Sequence, residues 1–233
     1  MKAFLLAAGY GTRLKPITDT LPKCLVPISG RPLLGWWLNL LKRHHIDEVL
    51  INTHYLSGQV EKYIASLNEE DMKIHLIYEP ELLGSGGTVK NNIDFIQDER
   101  DFLICYADNL TCVDITQLIS FHRSHAGILT MGLFYADNPS QCGIAVMDKE
   151  QVITEFVEKP AEPKSNLANA GIYVASRDII RCFPDRPVFD FGHDVLPLLV
   201  NDMRGHLIKE YLLDIGTLDN YQKANKEWQN DYI

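Results

Sequence analysis

Short continuous runs of apolar residues recur along the first half of the chain. They cover residues 2–7, 48–52, 73–78 and 102–106. Runs of strand length without regular polar alternation are typical of strands that are buried on both faces of a parallel sheet.

The segments between these runs carry apolar residues at helical spacing. Residues 32–44 form one such segment, and three more sets of apolar side chains follow at intervals of mostly three or four residues. These sets are Val60, Ile64 and Leu67; Val89, Ile93 and Ile96; and Ile115, Leu118 and Ile119. The alternation of strands and helices predicts an α/β fold with a mostly parallel sheet that is covered on both faces.

The pattern changes in the second half of the chain. Between residues 127 and 174, apolar stretches are separated by short polar turns, which predicts added β-rich structure. An apolar run at 207–213 then leads to a C-terminal helix, whose buried face is predicted to carry Leu218, Tyr221 and Trp228. No Pro/Gly/Ser-rich linker or run of like charges divides the 233 residues, so we expect a single domain over 1–233.

Net charge and the lengths of the apolar runs limit the kinds of binding partner that we expect. The formal net charge is −9, whereas nucleic-acid-binding domains usually carry a basic excess, so we expect no nucleic acid partner. No apolar run reaches the length of a membrane span, and the first 13 residues are too short and too interrupted for a signal peptide. We therefore expect a cytoplasmic protein without a membrane partner.

Cysteine, histidine and tryptophan offer no separate chemistry. The five cysteines are odd in number and form no CxxC pair, which favours reduced thiols over a zinc site or a disulfide framework. The histidines show no convergent ligand pattern, so we expect no catalytic histidine. Trp36 and Trp37 are predicted core residues of the first helix.

The stretch LLAAGYGTRLKPITDTLPKCLVPI places a glycine-rich loop directly after the first predicted strand. Glycines let backbone amides approach an anion closely, and Arg13 and Lys23 follow as cations. A dinucleotide-binding loop would need a third glycine where Leu14 stands and an acid at the end of the second strand, which reads Asn52-Thr53-His54. A Walker loop would need Gly-Lys-Ser/Thr. The loop fits neither motif, and its prolines suit a restrained linker that folds over a triphosphate.

The same stretch resembles the signature of the sugar-1-phosphate nucleotidylyltransferases, also called nucleotide-sugar pyrophosphorylases. The resemblance implies a Rossmann-like three-layer α/β/α domain with a mixed, mostly parallel central sheet and a β-rich sugar-binding part. It implies a nucleotide-binding half at 1–125 and a sugar-phosphate-binding half at 126–233. In the first loop it implies catalytic Arg13 and Lys23, and nucleotide-binding Leu6, Ala7, Ala8, Gly9, Gly11 and Thr12.

Further segments extend the resemblance over nearly the whole chain. EPELLGSGGTVKNN resembles the base-recognition segment, which implies nucleotide contacts by Glu81, Gly84, Ser85, Gly86 and Gly87. LICYADNL and LLDIGTLDNYQKAN resemble the metal-binding elements, which implies Mg²⁺ held by Asp108 and Asp214, although Leu212 and Leu218 stand where an aromatic residue and proline are common. FVEKP and NAGIYV resemble the sugar-phosphate segments, and the implied sugar-phosphate contacts are Asp108, Gly143, Glu158, Lys159, Asn169 and Gly171.

The implied reaction joins a sugar 1-phosphate to the α-phosphate of a nucleoside triphosphate and releases pyrophosphate. The sugar phosphate is already an anion near neutral pH, so no general base is required, and catalysis consists of positioning and charge neutralisation. Two carboxylates suit Mg²⁺, and Arg13 with Lys23 and Lys159 suits phosphate oxygens. The expected partners are therefore a nucleoside triphosphate and a sugar 1-phosphate.

Several alternatives stay open at this stage. The glycine segment is compatible with guanine or uracil, and similarity to short guanylyltransferases favours GTP and a manno-configured sugar. The next hypothesis is a uridylyltransferase that acts on N-acetylmuramate or another hexose 1-phosphate. Two further hypotheses are a phosphocholine-type cytidylyltransferase and a non-catalytic sugar-nucleotide sensor. The hexapeptide repeats of a C-terminal β-helix are not found in the sequence, so a short transferase without that domain is expected, and it could form a homodimer.

Overall fold

The computed structural model of the chain describes residues 1–67, 71–97, 99–229 and 232. The strands are, in chain order, β1 (Lys2–Leu6), β2 (Pro27–Ile28), β3 (Arg31–Pro32), β4 (Glu48–Thr53), β5 (Lys73–Tyr78), β6 (Asp101–Tyr106), β7 (Asn109–Thr111), β8 (Leu129–Tyr135), β9 (Gly143–Met147), β10 (Ile153–Glu158), β11 (Leu167–Ser176), β12 (Met203–Leu207) and β13 (Leu212–Asp214). The α-helices are α1 (Leu33–Arg43), α2 (Ser57–Ala65), α3 (Gly84–Asn91), α4 (Ile115–Arg123) and α5 (Leu218–Glu227). The predicted alternation of strands and helices in the first half is confirmed.

The chain divides into two compact units, each made of segments that are not contiguous in sequence. The first unit comprises Met1–Leu82, Tyr106–Val113 and Glu210–Ile233. The second comprises Leu83–Cys105 and Asp114–Lys209. The single domain over 1–233, with halves at 1–125 and 126–233, stays a prediction.

The first unit is built on a parallel three-strand arrangement. Strand β4 lies between β1 and β5 and pairs with both in parallel. Its residues from Val49 to Thr53 are all buried, as the continuous apolar run predicts. Helix α1 contributes Trp36 and Trp37 to the core, with 5% and 2% of their surface exposed, which confirms their expected role.

The second unit is organised around the ten-residue strand β11. It pairs antiparallel with β6 and with β8, and Ala168 also pairs with β9. Strand β12 adds to β8 in parallel, and β10 pairs antiparallel with β9. The predicted β-rich structure after residue 126 is therefore confirmed.

Three local expectations differ from the structure. The apolar set Val89, Ile93 and Ile96 is not one helix, because α3 ends at Asn91 and a short 3₁₀ turn covers Ile93–Ile96. The apolar run at 207–213 splits between the end of β12 and the start of β13.

The buried face of α5 also differs from the expected one. Within α5 the buried residue is Ala224, and Trp228 is buried just after the helix ends. Leu218 and Tyr221 are only partly buried. The predicted buried face is therefore wrong for Leu218 and Tyr221, and Trp228 is buried as expected.

The fold class expected from the sequence is confirmed as α/β with a mixed, mostly parallel central sheet and flanking helices. The strictly parallel pairing belongs to the first unit, and the antiparallel pairing to the second. Among the described residues, no helix has the length and apolar character needed to cross a membrane.

Candidate functional site

The glycine loop follows β1 in the first unit and turns at Gly11. Gly11 has a φ of 65°, in the left-handed region, and a Cβ there would come within 2.9 Å of Thr18 Cγ2. The Thr18 hydroxyl donates a hydrogen bond to the carbonyl oxygen of Gly11 at 2.8 Å. Glycine at this position therefore allows both the turn and the close approach of the following linker. At Gly9, by contrast, a Cβ would meet no atom within 4 Å.

Two buried polar residues hold the start of this loop. The backbone N–H of Ala7 donates to Asn52 Oδ1 at 2.8 Å, and Asn52 Nδ2 donates to Glu79 Oε1 at 3.0 Å. Asn52 is 4% exposed and Glu79 is 3% exposed. Buried amide and carboxylate groups are stabilised by such bonds, so the end of β1 is attached to the ends of β4 and β5.

Tyr10 is tied to the same strand ends through His54. His54 Nδ1 lies 2.7 Å from the carbonyl oxygen of Glu79, and its Nε2 lies 2.8 Å from the Tyr10 hydroxyl. Because a carbonyl oxygen can only accept, Nδ1 carries the proton, and in the neutral ring Nε2 accepts from Tyr10. The exposed ring of Tyr10 is thereby oriented beside the glycine loop.

A charged cluster forms in the first unit around Lys23. Its Nζ lies 2.8 Å from Asp108 Oδ2 and 3.4 Å from Asp214 Oδ1. Arg13 Nη2 lies 3.6 Å from Asp214 Oδ2. The four residues that the sequence assigns to catalysis and metal binding are therefore brought together, although 191 positions separate Lys23 from Asp214.

Local structure explains why Lys23, Asp108 and Asp214 meet. Strand β13 pairs antiparallel with β7, and in that register Asp214 faces Asn109. The backbone N–H of Ile215 donates to the carbonyl oxygen of Asp108 at 2.9 Å. Lys23 begins a short 3₁₀ turn directly after Pro22, whose fixed φ limits the linker. Two neighbouring strands and one restrained turn therefore place three charges at one point.

The electrostatics of the cluster depend on Lys23, whose side chain is only 10% exposed. Burial lowers its pKa, but attraction by Asp108 and Asp214 outweighs burial, so its pKa is raised. Burial raises the pKa of Asp108, yet Lys23 outweighs it and the net shift is downward. For Asp214, burial and the negative charge of Asp108 dominate, and its pKa is raised. At neutral pH Lys23 is therefore a fixed positive charge between two acidic groups.

The cluster has the donor set for a hard divalent cation. Asp108 and Asp214 already converge on one ammonium group, and their carboxylate oxygens are the ligands that Mg²⁺ prefers. The described residues contain no group of three or more His, Cys, Asp and Glu side chains placed to hold a metal ion. Two carboxylates still suit Mg²⁺, which usually keeps several waters and binds substrate phosphates.

The glycine segment at the start of α3 lies in the second unit and is packed closely. The backbone N–H groups of Gly86 and Gly87 both donate to the carbonyl oxygen of Phe189 at 3.1 Å. A Cβ at Gly86 would overlap the Phe189 ring, and one at Gly87 would overlap the carbonyl oxygen of Pro187. These glycines therefore have a packing role, and their assignment to a nucleobase stays a prediction.

Asp190 contacts the glycine segment, and its negative charge acts on Glu158. Ser85 Oγ donates to Asp190 Oδ2 at 2.7 Å, and Ser85 Oγ accepts from the backbone N–H of Phe191 at 2.8 Å. A Cβ at Gly192 would lie 3.2 Å from Glu158 Oε2. Burial raises the pKa of Glu158, and the nearby Asp190 raises it further, against Lys159 and His193, which lower it.

Of the other predicted sugar-phosphate residues, Asp108 lies in the first unit and the rest lie in the second unit. Gly143 is paired with Glu158 across β9 and β10, and a Cβ at Gly143 would lie 2.5 Å from Glu158 Oε2. Asn169 donates to the Tyr173 hydroxyl at 2.6 Å and accepts from the backbone N–H of Gly171 at 2.9 Å. Lys159 points its amino group to within 3.9 Å of Glu158 Oε1 and remains two-thirds exposed.

The structure adds residues that sequence reasoning did not select. They are Tyr10, Asn52, His54, Glu79, Phe189 and Asp190. Asn52 and Glu79 could have been found as polar residues at the ends of two apolar strands, where parallel sheets expose binding groups. The contacts of Phe189 and Asp190 with α3 depend on residues about 100 positions apart, and no local pattern signals them.

Comparisons with known proteins identify the family of the chain. The family model described as Nucleotidyl transferase matches residues 2–231. The D-glycero-α-D-manno-heptose 1-phosphate guanylyltransferase of Aneurinibacillus thermoaerophilus is 31% identical, with 99% of each chain covered. The UTP–glucose-1-phosphate uridylyltransferase of Synechocystis is 33% identical, with 96% of this chain and 62% of the relative covered.

A solved structure extends the similarity to three dimensions. The crystal structure of HddC from Yersinia pseudotuberculosis complexed with GMP-PN has a TM-score of 0.83 and 27% identity, covering 98% of this chain and 99% of that one. The chain spans 63%, 62% and 64% of the length of three of the curated relatives that it matches, the Synechocystis enzyme among them. Because the family model covers nearly all residues, this chain belongs to the nucleotidyl transferase family, as the resemblance implies.

Proposed function

We propose that this protein transfers a nucleoside monophosphate from a nucleoside triphosphate to a sugar 1-phosphate and releases pyrophosphate. The observation that carries the proposal is the contact of Lys23 with both Asp108 and Asp214. This cluster belongs to the same unit as the glycine loop, so cations and backbone amides are available to one polyanion. Relatives named for guanylyl and uridylyl transfer to sugar 1-phosphates support the same reaction class.

In this proposal the sugar phosphate oxygen attacks the α-phosphorus, and the bond to the pyrophosphate leaving group breaks. The attacking oxygen is already an anion, so no residue has to remove a proton. Arg13 is 61% exposed at its side chain and can reach phosphate oxygens with its planar fork. Lys23 supplies a buried point charge, which neutralises charge more effectively than an exposed one.

Asp108 and Asp214 are proposed to hold Mg²⁺. When bound, the ion would neutralise phosphate charge and orient the reacting groups. The two aspartates would then be shared between the ion and Lys23. The sharing fits their present positions, since Asp108 contacts Lys23 through one oxygen, and Asp214 contacts Lys23 and Arg13 through different oxygens.

In the second unit, Glu158 and Asn169 are proposed to bind sugar hydroxyls, and Lys159 the sugar phosphate. Gly143 and Gly192 leave the Glu158 carboxylate room that any Cβ would take. A buried carboxylate and an amide are hydrogen-bonding groups suited to hydroxyls. A phosphocholine head group would instead need an aromatic or acidic cage. Glu158 with the cationic Lys159 beside it and with Asn169 suits a hydroxyl-rich sugar phosphate better.

We further propose GTP and a manno-configured sugar 1-phosphate as the substrates. The guanylyltransferase relative from Aneurinibacillus supports this choice, because its full length and this chain align over 99% of each. The uridylyltransferase relative has slightly higher identity but is longer. UTP with a hexose 1-phosphate is therefore the second candidate.

The proposal is tested by measuring pyrophosphate release with Mg²⁺. The assay would combine each of four nucleoside triphosphates with the 1-phosphates of mannose, glucose, N-acetylglucosamine, N-acetylmuramate and a manno-heptose. We expect turnover with GTP and a manno-configured sugar, and loss of turnover when Mg²⁺ is removed with EDTA. Release with UTP alone would select the second candidate.

Two further outcomes would overturn the proposed reaction. Turnover with phosphocholine and CTP, but with no sugar phosphate, would replace it with a cytidylyltransferase. No turnover with any pair, while a nucleotide sugar binds tightly, would indicate a sensor. If Asp108 and Asp214 hold Mg²⁺, Asp108→Asn and Asp214→Asn should each lose turnover. An Asp219→Asn variant, altered in the first turn of α5 outside the cluster, serves as their control.

A further inference from the structure

A cavity of about 700 Å³ lies at one end of β11 in the second unit. Its lining includes Ser176, the last residue of β11, and Asp101, the first residue of β6. Asn169 lies seven residues earlier on β11, which is about 20 Å along an extended strand. The cavity is therefore at the opposite end of this strand from the candidate sugar-binding residue.

The lining is rich in arginine. The chain has nine arginines, and four of them, Arg100, Arg123, Arg177 and Arg181, line this one cavity. Like charges repel one another, and the chain as a whole carries a net charge of −9. The concentration of guanidinium groups here is therefore opposite to the overall charge.

Only part of this positive charge is balanced by the carboxylates that line the cavity. Arg123 Nε lies 3.5 Å and Arg100 Nε 3.8 Å from the carboxylate of Asp101, so two cations share one anion. Arg181 Nη2 lies 3.1 Å from Asp178 Oδ1. Arg177 donates to the backbone carbonyl of Gln97, which carries no charge. Among the described residues of the lining, four guanidinium groups thus face two carboxylates.

The two histidines of the lining add no charge at neutral pH. Gly127 donates its N–H to His125 Nδ1 at 3.0 Å, so His125 Nε2 carries the proton and donates to Thr130 Oγ1 at 2.8 Å. The Thr130 hydroxyl is then free to donate to His122 Nδ1 at 3.0 Å. Burial lowers the pKa of both rings, that of His125 to about 4. The excess charge of the lining is therefore about two positive charges.

We propose that this cavity binds a compact phosphorylated anion, either a phosphate ester or a free polyphosphate. One planar guanidinium group can donate two parallel hydrogen bonds to two oxygens of the same phosphate, whereas a lysine ammonium group acts as a point charge. A phosphoryl group near neutral pH carries close to two negative charges and would balance the lining. The volume lies within the range of small-molecule sites. The proposal does not depend on the reaction proposed above.

The test is isothermal titration of the whole chain with two probes. Inorganic pyrophosphate represents a free polyphosphate, and ribose 5-phosphate represents a phosphate ester that is not a sugar 1-phosphate. The cavity variant is Arg177→Ala with Arg181→Ala, both at exposed positions. Its control is Lys149→Ala with Lys226→Ala, which removes the same charge from exposed positions outside the cavity.

We expect saturable binding of at least one probe that weakens about tenfold or more in the cavity variant and stays unchanged in the lysine control. The probe that shows this behaviour identifies the source of the phosphate. A Lys23→Ala variant separates this binding from the charged cluster of the first unit, since cavity binding should survive it. Circular dichroism checks the fold, and a single Arg177→Gln variant replaces the double variant if that one misfolds.

Three results would overturn the proposal. They are no saturable binding of either probe, equal weakening in the cavity variant and the lysine control, and loss of binding in Lys23→Ala alone. Equal weakening would mean that only general surface charge acts, which salt would screen.

Discussion

The two glycine-rich stretches of this chain use glycine for different reasons. In the loop after β1, Gly9 has open space where a Cβ would stand, and Gly11 adopts a left-handed backbone. At the start of α3, Gly86 and Gly87 are pressed against Phe189 and Pro187, and their N–H groups bond to the Phe189 carbonyl oxygen. Similar composition therefore serves an open surface in one unit and close packing in the other.

This difference shows that glycine content alone does not identify a ligand-binding loop. The loop after β1 is followed by Arg13 and Lys23, and Lys23 is held by two aspartates. The packed segment has instead Ser85 bound to Asp190, a contact within the protein. Chemistry is therefore expected from the first stretch, and structural support from the second.

The largest expected effect is on catalysis by the open loop. Lys23→Ala should lower kcat about 100- to 1000-fold, since removing one preorganised charge typically costs roughly 2.7–4 kcal/mol of transition-state stabilisation. Pyrophosphate release would measure it. Lys15→Ala is the matched control, because Lys15 lies in the same loop but pairs with Asp19 at the surface. Near-normal turnover in a folded Lys23→Ala protein would remove Lys23 from the reaction.

The next effect is on the stability of the packed segment. Gly86→Ala should lower the free energy of unfolding by about 1–3 kcal/mol, because the added methyl group overlaps the Phe189 ring. Urea denaturation would measure the change. Adding Phe189→Leu should recover part of the loss, since the two substitutions share one contact. Unchanged stability of Gly86→Ala would mean that the segment is not packed as described.

A smaller effect concerns pH and the carboxylate beside the packed segment. Burial and Asp190 raise the pKa of Glu158, while Lys159 and His193 oppose the shift. The folded state then holds the proton more tightly than the unfolded state, so ionisation of Glu158 reduces stability as pH rises above its ordinary pKa of 4.5.

Glu158→Gln should therefore raise the melting temperature at pH 7.5 and show little gain at pH 4, where the wild-type carboxyl is largely protonated. Thermal melts at both values would measure the difference, with the surface variant Glu162→Gln as the control. A larger gain at pH 4 than at pH 7.5 would contradict the direction of the shift. Activity of the same variant should fall under the proposed function.

The smallest expected effect on stability is at the open loop. Gly9→Ala should change the free energy of unfolding by less than about 0.5 kcal/mol, since no atom lies within 4 Å of the added Cβ. Under the proposed function its KM for the triphosphate should rise, because the methyl group would stand where an anion approaches. A large loss of stability would show that both glycine stretches are packed.

Much of the fold follows from local pattern. The runs at 48–52 and 73–78 match β4 and β5 to within one residue. The burial expected of such runs is found in β4, whereas β5 is the last strand of the sheet and none of its residues is fully buried. The prediction of one helix through Val89, Ile93 and Ile96 was wrong, because α3 ends at Asn91 and a 3₁₀ turn covers Ile93–Ile96. Apolar residues three or four positions apart are found in both elements, so their spacing does not reveal the break. Where a helix ends depends on how the following turn packs, and the spacing of apolar residues carries no information on that packing.

For the candidate site, the sequence alone supplied Arg13 and Lys23 as cations suited to phosphates. The family resemblance that it carries implied Asp108 and Asp214 as ligands of Mg²⁺. Only the tertiary structure decided that Lys23 lies between the two aspartates, because the pairing of β7 with β13 joins residues about 100 positions apart. It also decided that Asn52 and Glu79 hold the glycine loop, and that four arginines surround one cavity. The residue types suited to the site could be predicted from the sequence because charge and backbone freedom are local properties. Distances between remote side chains are set by strand register and core packing, which arise only when the chain is folded.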